Sequence, residues 1–327
     1  MRSSEKNISS GTHKPVMLAE VVSALSPVSG ERYLDATFGA GGYSSAILAA
    51  ADCQVVAIDR DPTAVARGRQ LEPENAGRFR IFEACFSGME EALASAGIRS
   101  ADGVALDLGV SSPQLDDGAR GFSFTVDGPL DMRMSRSGIS AADFINTSDE
   151  RTLATVISRY GEERHARRIA RAILRARSKR TIERTVELAD IVASAVPVGA
   201  KRQKIHPATR TFQALRIQIN NELDELRKGL VAAEHLLARH GRLVVVAFHS
   251  LEDRIVKDFL GRRSGRTPGD SRHRPTRATP EPSFDLPFRK PQRPSDQEIT
   301  ENSRARSARL RAGTRTGAQA WPVTALP

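Results

Sequence analysis

Short apolar runs alternate with amphipathic segments along the first third of the chain. Apolar runs bounded by turn residues are typical of buried strands, whereas apolar residues at every third or fourth position are typical of helices. The predicted strands cover 33–38, 54–59, 78–83 and 103–108, and the predicted helices cover 16–25, 43–51, 63–71 and 89–96. This alternation predicts an α/β fold: a parallel, doubly wound sheet with helices on both faces. A ligand crevice is expected at the carboxyl ends of the strands.

The pattern changes after the fourth strand. Residues 109–138 are rich in Gly, Ser, Asp and Pro and predict a long structured loop, and residues 141–196 are predicted to be helical. Apolar positions between Phe212 and Leu230 then predict one long amphipathic helix. The apolar run at 242–248 predicts a strand that resumes the sheet.

These changes divide the chain into four parts. Nine of the seventeen prolines follow residue 260, so most of that segment is expected to have no stable fold of its own. The parts are a flexible N-terminus (1–14), a discontinuous sheet domain (15–108 and 207–260), an inserted loop and helical subdomain (109–206), and a basic Pro/Arg-rich tail (261–327).

Positive charge is concentrated in two segments of this 327-residue chain, whose formal net charge is +10. In 151–184, eleven Lys or Arg oppose three Glu, and in 261–327 fourteen oppose six acidic residues. The remainder is acidic overall. Segregation of this kind predicts a surface that binds a polyanion. A solvated helix face and a disordered tail are the alternative for either segment alone.

Several classes of protein are disfavoured by the composition. The longest apolar run, 243–248, is too short to span a bilayer. The N-terminus has no apolar signal segment, and Cys53 and Cys85 form no disulfide or metal pattern. The seven histidines include no H-x-E or H-E-x-x-H motif. We therefore expect a cytoplasmic protein without a catalytic metal.

The strongest chemical signal is the run DATFGAGGYS at 35–44, a glycine turn between the first strand and the next helix. Such a turn offers backbone N–H groups to negative charge, and Asp59, at the end of the second strand, can accept from ribose hydroxyls. A nucleoside cofactor is therefore predicted. Ser44 breaks the dinucleotide pattern G-x-G-x-x-G/A, but the spacing from Gly41 to Asp59 does not separate a dinucleotide from S-adenosylmethionine.

Asp107 ends the fourth strand and is followed by LGVSSPQLDD at 108–117. In a parallel sheet this carboxylate would point into the crevice beside the cofactor. An Asp at the end of a strand can also cap the following turn. Beside an independently predicted crevice, the functional interpretation is favoured.

Ten motifs in order along the chain resemble the ribosomal small-subunit methyltransferase H family (MraW-like). That family methylates N4 of a cytosine in 16S rRNA with S-adenosylmethionine, so the resemblance implies a class I methyltransferase fold. It further implies the decoding-centre cytosine numbered 1402 as the target. The motifs lie at 13–18, 35–42, 57–62, 106–117, 120–124, 127–134, 160–164, 206–214, 248–256 and 303–311.

The resemblance also implies a set of residues for the methionine end of the cofactor. Gly41, Gly42 and Tyr43 would line this end. Members of the family often have His at the position of Tyr43, and Cys85 replaces a commoner Pro. A contact through the backbone of residue 43 would survive the change, whereas a side-chain role would not.

The rest of the implied cofactor site follows the strands. Asp59 would hold the ribose and Phe86 would flank the adenine. Asp107 and Gln114 would close the site near the sulfonium.

Catalysis of amine methylation requires alignment of the amine and acceptors for its N–H protons. Asp107, Ser112 and His249 are the candidate acceptors, although His249 could equally cap the helix that follows it. A carbon-5 cytosine methyltransferase would need a cysteine nucleophile, and neither Cys53 nor Cys85 follows the fourth strand. The residue types thus favour amine methylation.

Three arginines are candidates for RNA phosphate: Arg120, Arg133 and Arg210. Salt bridges within the protein are the alternative for each. The expected partner is 16S rRNA, within a small ribosomal subunit, and a homodimer is compatible with the resemblance. Three alternatives stay open: a related methyltransferase acting on another RNA or DNA, a dinucleotide oxidoreductase, and a non-catalytic RNA-binding module.

Overall fold

A seven-stranded sheet forms the centre of the computed structural model, which describes residues 15–197, 206–266 and 280–322. The strand order is β3-β2-β1-β4-β5-β7-β6. The strands are β1 (Arg32–Asp35), β2 (Gln54–Asp59), β3 (Phe79–Glu83), β4 (Ala101–Asp107), β5 (Leu237–Ala247), β6 (Phe284–Asp285) and β7 (Arg309–Arg315).

Helices cover both faces of this sheet and build the insertion that follows β4. Those near the N-terminus are α1 (Leu18–Leu25), α2 (Gly42–Ala50), α3 (Pro62–Leu71) and α4 (Met89–Ser95). Those after β4 are α5 (Ser112–Asp116), α6 (Ala141–Thr147), α7 (Glu150–Gly161), α8 (Ala166–Arg177), α9 (Thr185–Ala195), α10 (Thr209–Asn220), α11 (Glu222–Leu236), α12 (Ser250–Arg263) and α13 (Asp296–Glu301). Within the described ranges, no helix combines the length and the apolar character needed to cross a membrane.

The predicted doubly wound parallel sheet is confirmed. Strands β1 to β5 run parallel, with Leu34 of β1 opposite Val56 of β2 and Val104 of β4. The chain runs outward from β1 to β3 and then returns to β4 on the other side of β1. The carboxyl ends of β1 and β4 therefore form the switch point at which such sheets bind ligands.

Alternate residues of the central strands enter two separate cores. Leu34 and Val104 pack with residues of α4, α11 and α12 on one face, and Tyr33 and Val55 pack with residues of α1, α2 and α3 on the other. Burial on both faces explains why these strands are apolar runs rather than alternating patterns.

The insertion has its own hydrophobic core, to which Ile169 and Ile173 of α8 contribute. The predicted single helix from Phe212 onward is wrong: the chain breaks at Asn221, whose φ is +50°. As a result α10 packs on the core of the insertion through Phe212, while α11 packs on the sheet through Leu230. The boundary between the insertion and the sheet domain thus lies near Asn221, about one helix after the predicted position at 207.

Residues 280–322 do not form the separate tail that was predicted for 261–327, because β6 and β7 belong to the central sheet. Strand β7 lies between β5 and β6 and pairs antiparallel with both. Asp253 of α12 accepts hydrogen bonds from Arg309 (2.7 Å) and Arg311 (2.6 Å) of β7. The arginines that made this segment look like a tail therefore attach it to the sheet. The predicted flexible N-terminus, 1–14, lies outside the described residues.

Candidate active site

A cavity of about 410 Å³ opens at the switch point of the sheet. Its walls come from the turn after β1, the ends of β2, β3 and β4, the start of α11 and the C-terminal segment. The lining residues include Pro15, Gly39, Gly42, Tyr43, Asp59, Phe86, Asp107, Gly109, Ser112, Gln114, Arg216, Glu222, Phe248, Glu252, Asn302, Arg304 and Ser307. Most of the residues predicted for the cofactor are thus brought together.

The glycine turn after β1 leaves no room for side chains. Gly41 has a φ of +84°, which favours glycine, and caps α2. A Cβ atom on Gly42 would overlap Pro15. Tyr43 is buried, and its hydroxyl donates to the carbonyl oxygen of Val16 at 2.6 Å. The Tyr43 side chain therefore ties the N-terminal segment to the turn.

Asp35 and Thr37 hold this turn in place and were not predicted as site residues. Asp35 is fully buried and accepts from the backbone N–H groups of Thr37 and Ser44 and from the Ser44 hydroxyl. Thr37 Oγ1 accepts from the backbone N–H of Asp107 at 2.7 Å. These contacts fix the end of β1 against the end of β4. Both residues belong to the 35–44 run, so their position in the motif was the available signal.

Asp59 presents its carboxylate to the cavity from the end of β2. One oxygen accepts from the backbone N–H of Gly39 and the other from that of Asp61, both at 2.8 Å. Burial raises the pKa of Asp59 to about 6, despite these hydrogen bonds. Each oxygen keeps a lone pair for a further donor. The two hydroxyls of a ribose match this arrangement.

Asp107 lies at the end of β4 with a buried acceptor that has no partner. Its Oδ1 receives no hydrogen bond from the residues that the structure describes. Burial, with the nearby charges of Asp35 and Glu252, raises the pKa of Asp107 well above its ordinary value. A buried acceptor without a donor is costly. The other oxygen, Oδ2, is not among the enclosed atoms and receives no hydrogen bond from the described residues, so the carboxylate can accept from a ligand in the cavity through Oδ2.

The loop after β4 is shaped by Gln114. Its amide oxygen accepts from the backbone N–H of Ser111, and its NH2 group donates to Asp61 at 2.8 Å. Ser111 and Gln114 together cap α5. Ser112 lines the cavity at the first position of that helix. Gln114 thus braces the wall, and its proximity to a sulfonium stays a prediction.

Phe86 follows β3 and lines the cavity beside Cys85 and Leu226. Cys85 is half-buried and lines the cavity. Burial raises the pKa of its thiol, which keeps it protonated. Cys53 is buried, with its thiol donating to the carbonyl oxygen of Ile47. Neither cysteine follows β4, where a nucleophile for carbon-5 methylation would be needed.

His249 caps α12. Its Nδ1 accepts from the backbone N–H of Glu252 at 3.4 Å, while the Glu252 carboxylate accepts from the N–H groups of Phe248 and His249. The capping alternative is therefore the one that the geometry favours for His249. Phe248, which precedes it, and Glu252, in the first turn of α12, line the cavity.

Glu222, His249 and Glu252 have ligand atoms within 4.8 Å of one another, a grouping that could hold a metal ion. Arg216 already supplies positive charge there, with its Nε 2.9 Å from Glu222 and its Nη2 4.0 Å from Glu252. Burial alone would raise the pKa of Glu252, but His249 and Arg216 hold it below its ordinary value. The cluster is thus stabilised by a guanidinium from within the chain.

Arg120 was predicted to contact RNA phosphate, but the structure buries it in an ion pair. The residue is 7% exposed, and its Nη1 lies 2.6 Å from Asp61. Its Nη2 donates to the carbonyl oxygens of Arg133 and Met134. Arg120 therefore supports the loop after β4 from inside.

Arg133 and Arg210 make the ion pairs that were the alternative to phosphate binding. Arg133 Nη2 lies 2.7 Å from Asp131, and Arg210 Nη1 lies 3.8 Å from Glu163. Both keep some exposure, so a phosphate contact by either stays a prediction. The arginines that do line the cavity are Arg60, Arg216 and Arg304.

Comparison with known proteins gives full-length matches. A family model described as the MraW methylase family matches residues 10–316. A protein named ribosomal RNA small subunit methyltransferase H from Paramagnetospirillum magneticum is 56% identical over 311 residues, covering 94% of this chain and 97% of that protein. A protein of the same name from Parvibaculum lavamentivorans is 55% identical over 315 residues, covering 96% and 93%.

Proposed function

The chain belongs to the MraW methylase family, and we propose that it methylates N4 of the decoding-centre cytosine 1402 in 16S rRNA. Relatives at 55–56% identity that are named ribosomal RNA small subunit methyltransferase H support an rRNA substrate. The cofactor is S-adenosylmethionine. The single observation that supports an amine as the methyl acceptor is the Asp107 carboxylate at the cavity, whose Oδ2 has no hydrogen-bond partner among the described residues.

The residues around the cavity fit this cofactor. The turn at Gly41 and Gly42 would receive its methionine end, Asp59 would accept from both ribose hydroxyls, and Phe86 would pack against the adenine. Asp107 and Gln114 complete the wall on the β4 side. When bound, the cofactor supplies an electrophilic methyl group on a sulfonium.

Asp107 then acts on the amine. The lone pair of an exocyclic cytosine amine is delocalised into the ring, so the amine is a weak nucleophile. Asp107 Oδ2 accepts a hydrogen bond from one N4–H group, which orients the amine, and the carboxylate takes up the proton that the amine loses on methylation. The raised pKa of Asp107 suits a carboxylate that takes up this proton. Ser112, which also lines the cavity, is the second candidate acceptor.

The insertion supplies the surface for RNA. Arg168, Arg171 and Arg175 are exposed on one face of α8. Arg175 also lines an open groove whose other charged residues are the basic Lys179, Arg180 and Arg184 and the acidic Asp127, Glu187 and Asp190. The basic face of α8 fits the phosphate backbone. We place the reaction on a small ribosomal subunit in the cytoplasm, where the target cytosine is splayed into the cavity, and a homodimer is compatible with this arrangement.

The test is nucleoside analysis of small-subunit RNA from a strain that lacks the gene. N4-methylcytidine at the target should disappear, and the wild-type gene should restore it. A gene that encodes Asp107→Asn should not restore it, because an amide presents at best one neutral acceptor and takes up no proton. We expect this variant to lower the rate of methyl transfer by about 100-fold or more. Unchanged N4-methylcytidine in the deletion strain would show that the substrate is another RNA or DNA.

A further inference from the structure

Arg216 is held at the cavity with one nitrogen free. Its side chain is 16% exposed, and its Nε and Nη2 each lie 2.9 Å from a carboxylate oxygen of Glu222. Its Nη1 makes no hydrogen bond with the residues that the structure describes, and it is not among their enclosed, partnerless atoms. Nη1 is therefore a donor that is open to the cavity.

The free nitrogen faces the backbone just beyond Asp107. A Cβ atom placed on Gly109 would lie 3.9 Å from Nη1, 3.9 Å from Nη2 and 3.9 Å from Cδ2 of Phe248. Gly109 has a φ of +92°, so the residue type leaves this space open. A guanidinium and an aromatic ring thus flank an open patch of backbone two residues after the acceptor Asp107.

The break between α10 and α11 fixes the guanidinium in this place. Because the chain turns at Asn221, Glu222 at the start of α11 reaches Arg216 near the end of α10. Asn220 anchors the same turn by accepting from Met134 N–H and donating to the carbonyl oxygen of Met132. The bidentate pair removes most of the rotamer freedom of Arg216. Its free nitrogen is therefore positioned before any substrate binds.

We propose that Arg216 reads the target base, with Nη1 donating to cytosine N3 while Asp107 accepts from the N4 amine through Oδ2, the oxygen that is not enclosed. This inference rests on the proposed function. Cytosine presents a donor at N4 beside an acceptor at N3, whereas uracil presents an acceptor at O4 beside a donor at N3. Uracil would leave both protein groups facing groups of their own kind. Sites built in this way reject the wrong base strongly, because buried polar groups are left unpaired.

The test is a double-mutant cycle that combines one change in the protein with one change in the RNA. Methyl transfer is measured on RNA that carries cytidine or 3-deazacytidine at the target, since 3-deazacytidine replaces N3 by C–H. Arg216→Lys keeps the charge and a contact with Glu222, but its single nitrogen cannot both pair with Glu222 and occupy the position of Nη1, so the donor at that position is lost. Arg227→Lys is the matched control: this half-buried arginine of α11 pairs with Asp224, and neither residue lines the cavity.

We expect Arg216→Lys to lower kcat/KM on cytidine RNA by about 10- to 100-fold, the range of a hydrogen bond that involves a charged group. Affinity for S-adenosylmethionine should change less than about twofold. For the wild type, replacing cytidine by 3-deazacytidine should lower kcat/KM by a similar factor. For Arg216→Lys the same replacement should lower kcat/KM only slightly further, because the two changes remove the same hydrogen bond. Arg227→Lys should behave as the wild type does.

Two results would overturn the proposal. Independent, multiplicative losses from Arg216→Lys and from 3-deazacytidine would mean that the two groups do not meet. Wild-type turnover of 3-deazacytidine RNA at the cytidine rate would overturn it even if the variant failed to fold. Failure of the proposed function is distinct, since the wild-type enzyme would then form no N4-methylcytidine on the cytidine RNA.

Discussion

Asp59 carries a charge that burial disfavours while no ligand is bound. Its pKa is raised to about 6, so the carboxylate is ionised at neutral pH but protonated in mild acid. Ribose hydroxyls donate to the ionised form. We therefore expect affinity for S-adenosylmethionine to be flat above about pH 7 and to fall about tenfold per pH unit below pH 6.

The measurement is calorimetric titration of S-adenosylmethionine between pH 5 and 8. Asp59→Asn should weaken binding at neutral pH by about 10- to 100-fold and abolish the inflection near pH 6. Asp52→Asn serves as the control, because Asp52 has an 84% exposed side chain. An inflection that persists unchanged in Asp59→Asn would assign the titration to another group.

The sequence was sufficient to predict the site residues that end a strand. It was not sufficient for residues whose role depends on partners far away in the chain. Asp59 and Asp107 follow apolar runs, so their places at the crevice follow from the parallel sheet alone. Arg120 looked available for phosphate because nothing local pairs with it. Its partner Asp61 lies 59 positions earlier, and only the folded chain brings the two together. Arg216 was missed for the same kind of reason, since it acquires its role from Gly109 and Phe248.

Helix α8 combines a buried apolar face with an exposed basic one. Arg171 lies 2.9 Å from Glu150, whereas Arg168 and Arg175 are exposed and belong to no ion pair of the described residues. If the basic face follows RNA phosphates, Arg168→Gln with Arg175→Gln should weaken RNA binding and flatten its salt dependence. The slope of log K against log salt should become shallower by about 0.7 for each phosphate that the variant no longer neutralises.

The measurement is RNA affinity between about 50 and 200 mM salt. The matched control is Arg69→Gln with Arg80→Gln, which removes two exposed charges from the sheet domain. Both pairs should keep the wild-type affinity for S-adenosylmethionine. Equal slopes for the two double variants would mean that only net charge matters, and that α8 is not the surface that binds RNA.

Among the elements, those with strong local patterns were predicted closely. Strand β2 has the predicted bounds, and the first helices differ by one or two residues. The division of the predicted helix into α10 and α11 was not foreseen, because its apolar spacing runs on across Asn221 without proline or glycine. The two helices serve different cores, and such a division depends on tertiary packing rather than local pattern.

At the scale of the whole molecule, the chain closes on itself through its C-terminal segment. Strand β7 completes the sheet against β5, and Asn302, Arg304 and Ser307 line the same cavity as the turn after β1. Composition hid this role, since proline and arginine are typical of disordered segments. The signal that was available was the motif at 303–311, a pattern shared with a family rather than a physical property of the segment.

If β7 belongs to the cooperative core, weakening it should destabilise the whole protein. Leu310 of β7 is fully buried in the core that also contains Tyr33 and Val55. Leu310→Ala should therefore lower the free energy of unfolding by about 2 to 5 kcal/mol, through reduced burial and the cavity left behind. Denaturant unfolding should keep one transition, moved to a lower midpoint. Val126→Ala, at a 57% exposed site, should change the free energy of unfolding by less than about 0.5 kcal/mol. An early separate transition in Leu310→Ala, with the main one unmoved, would mean that the segment is only appended to a sheet stable without it.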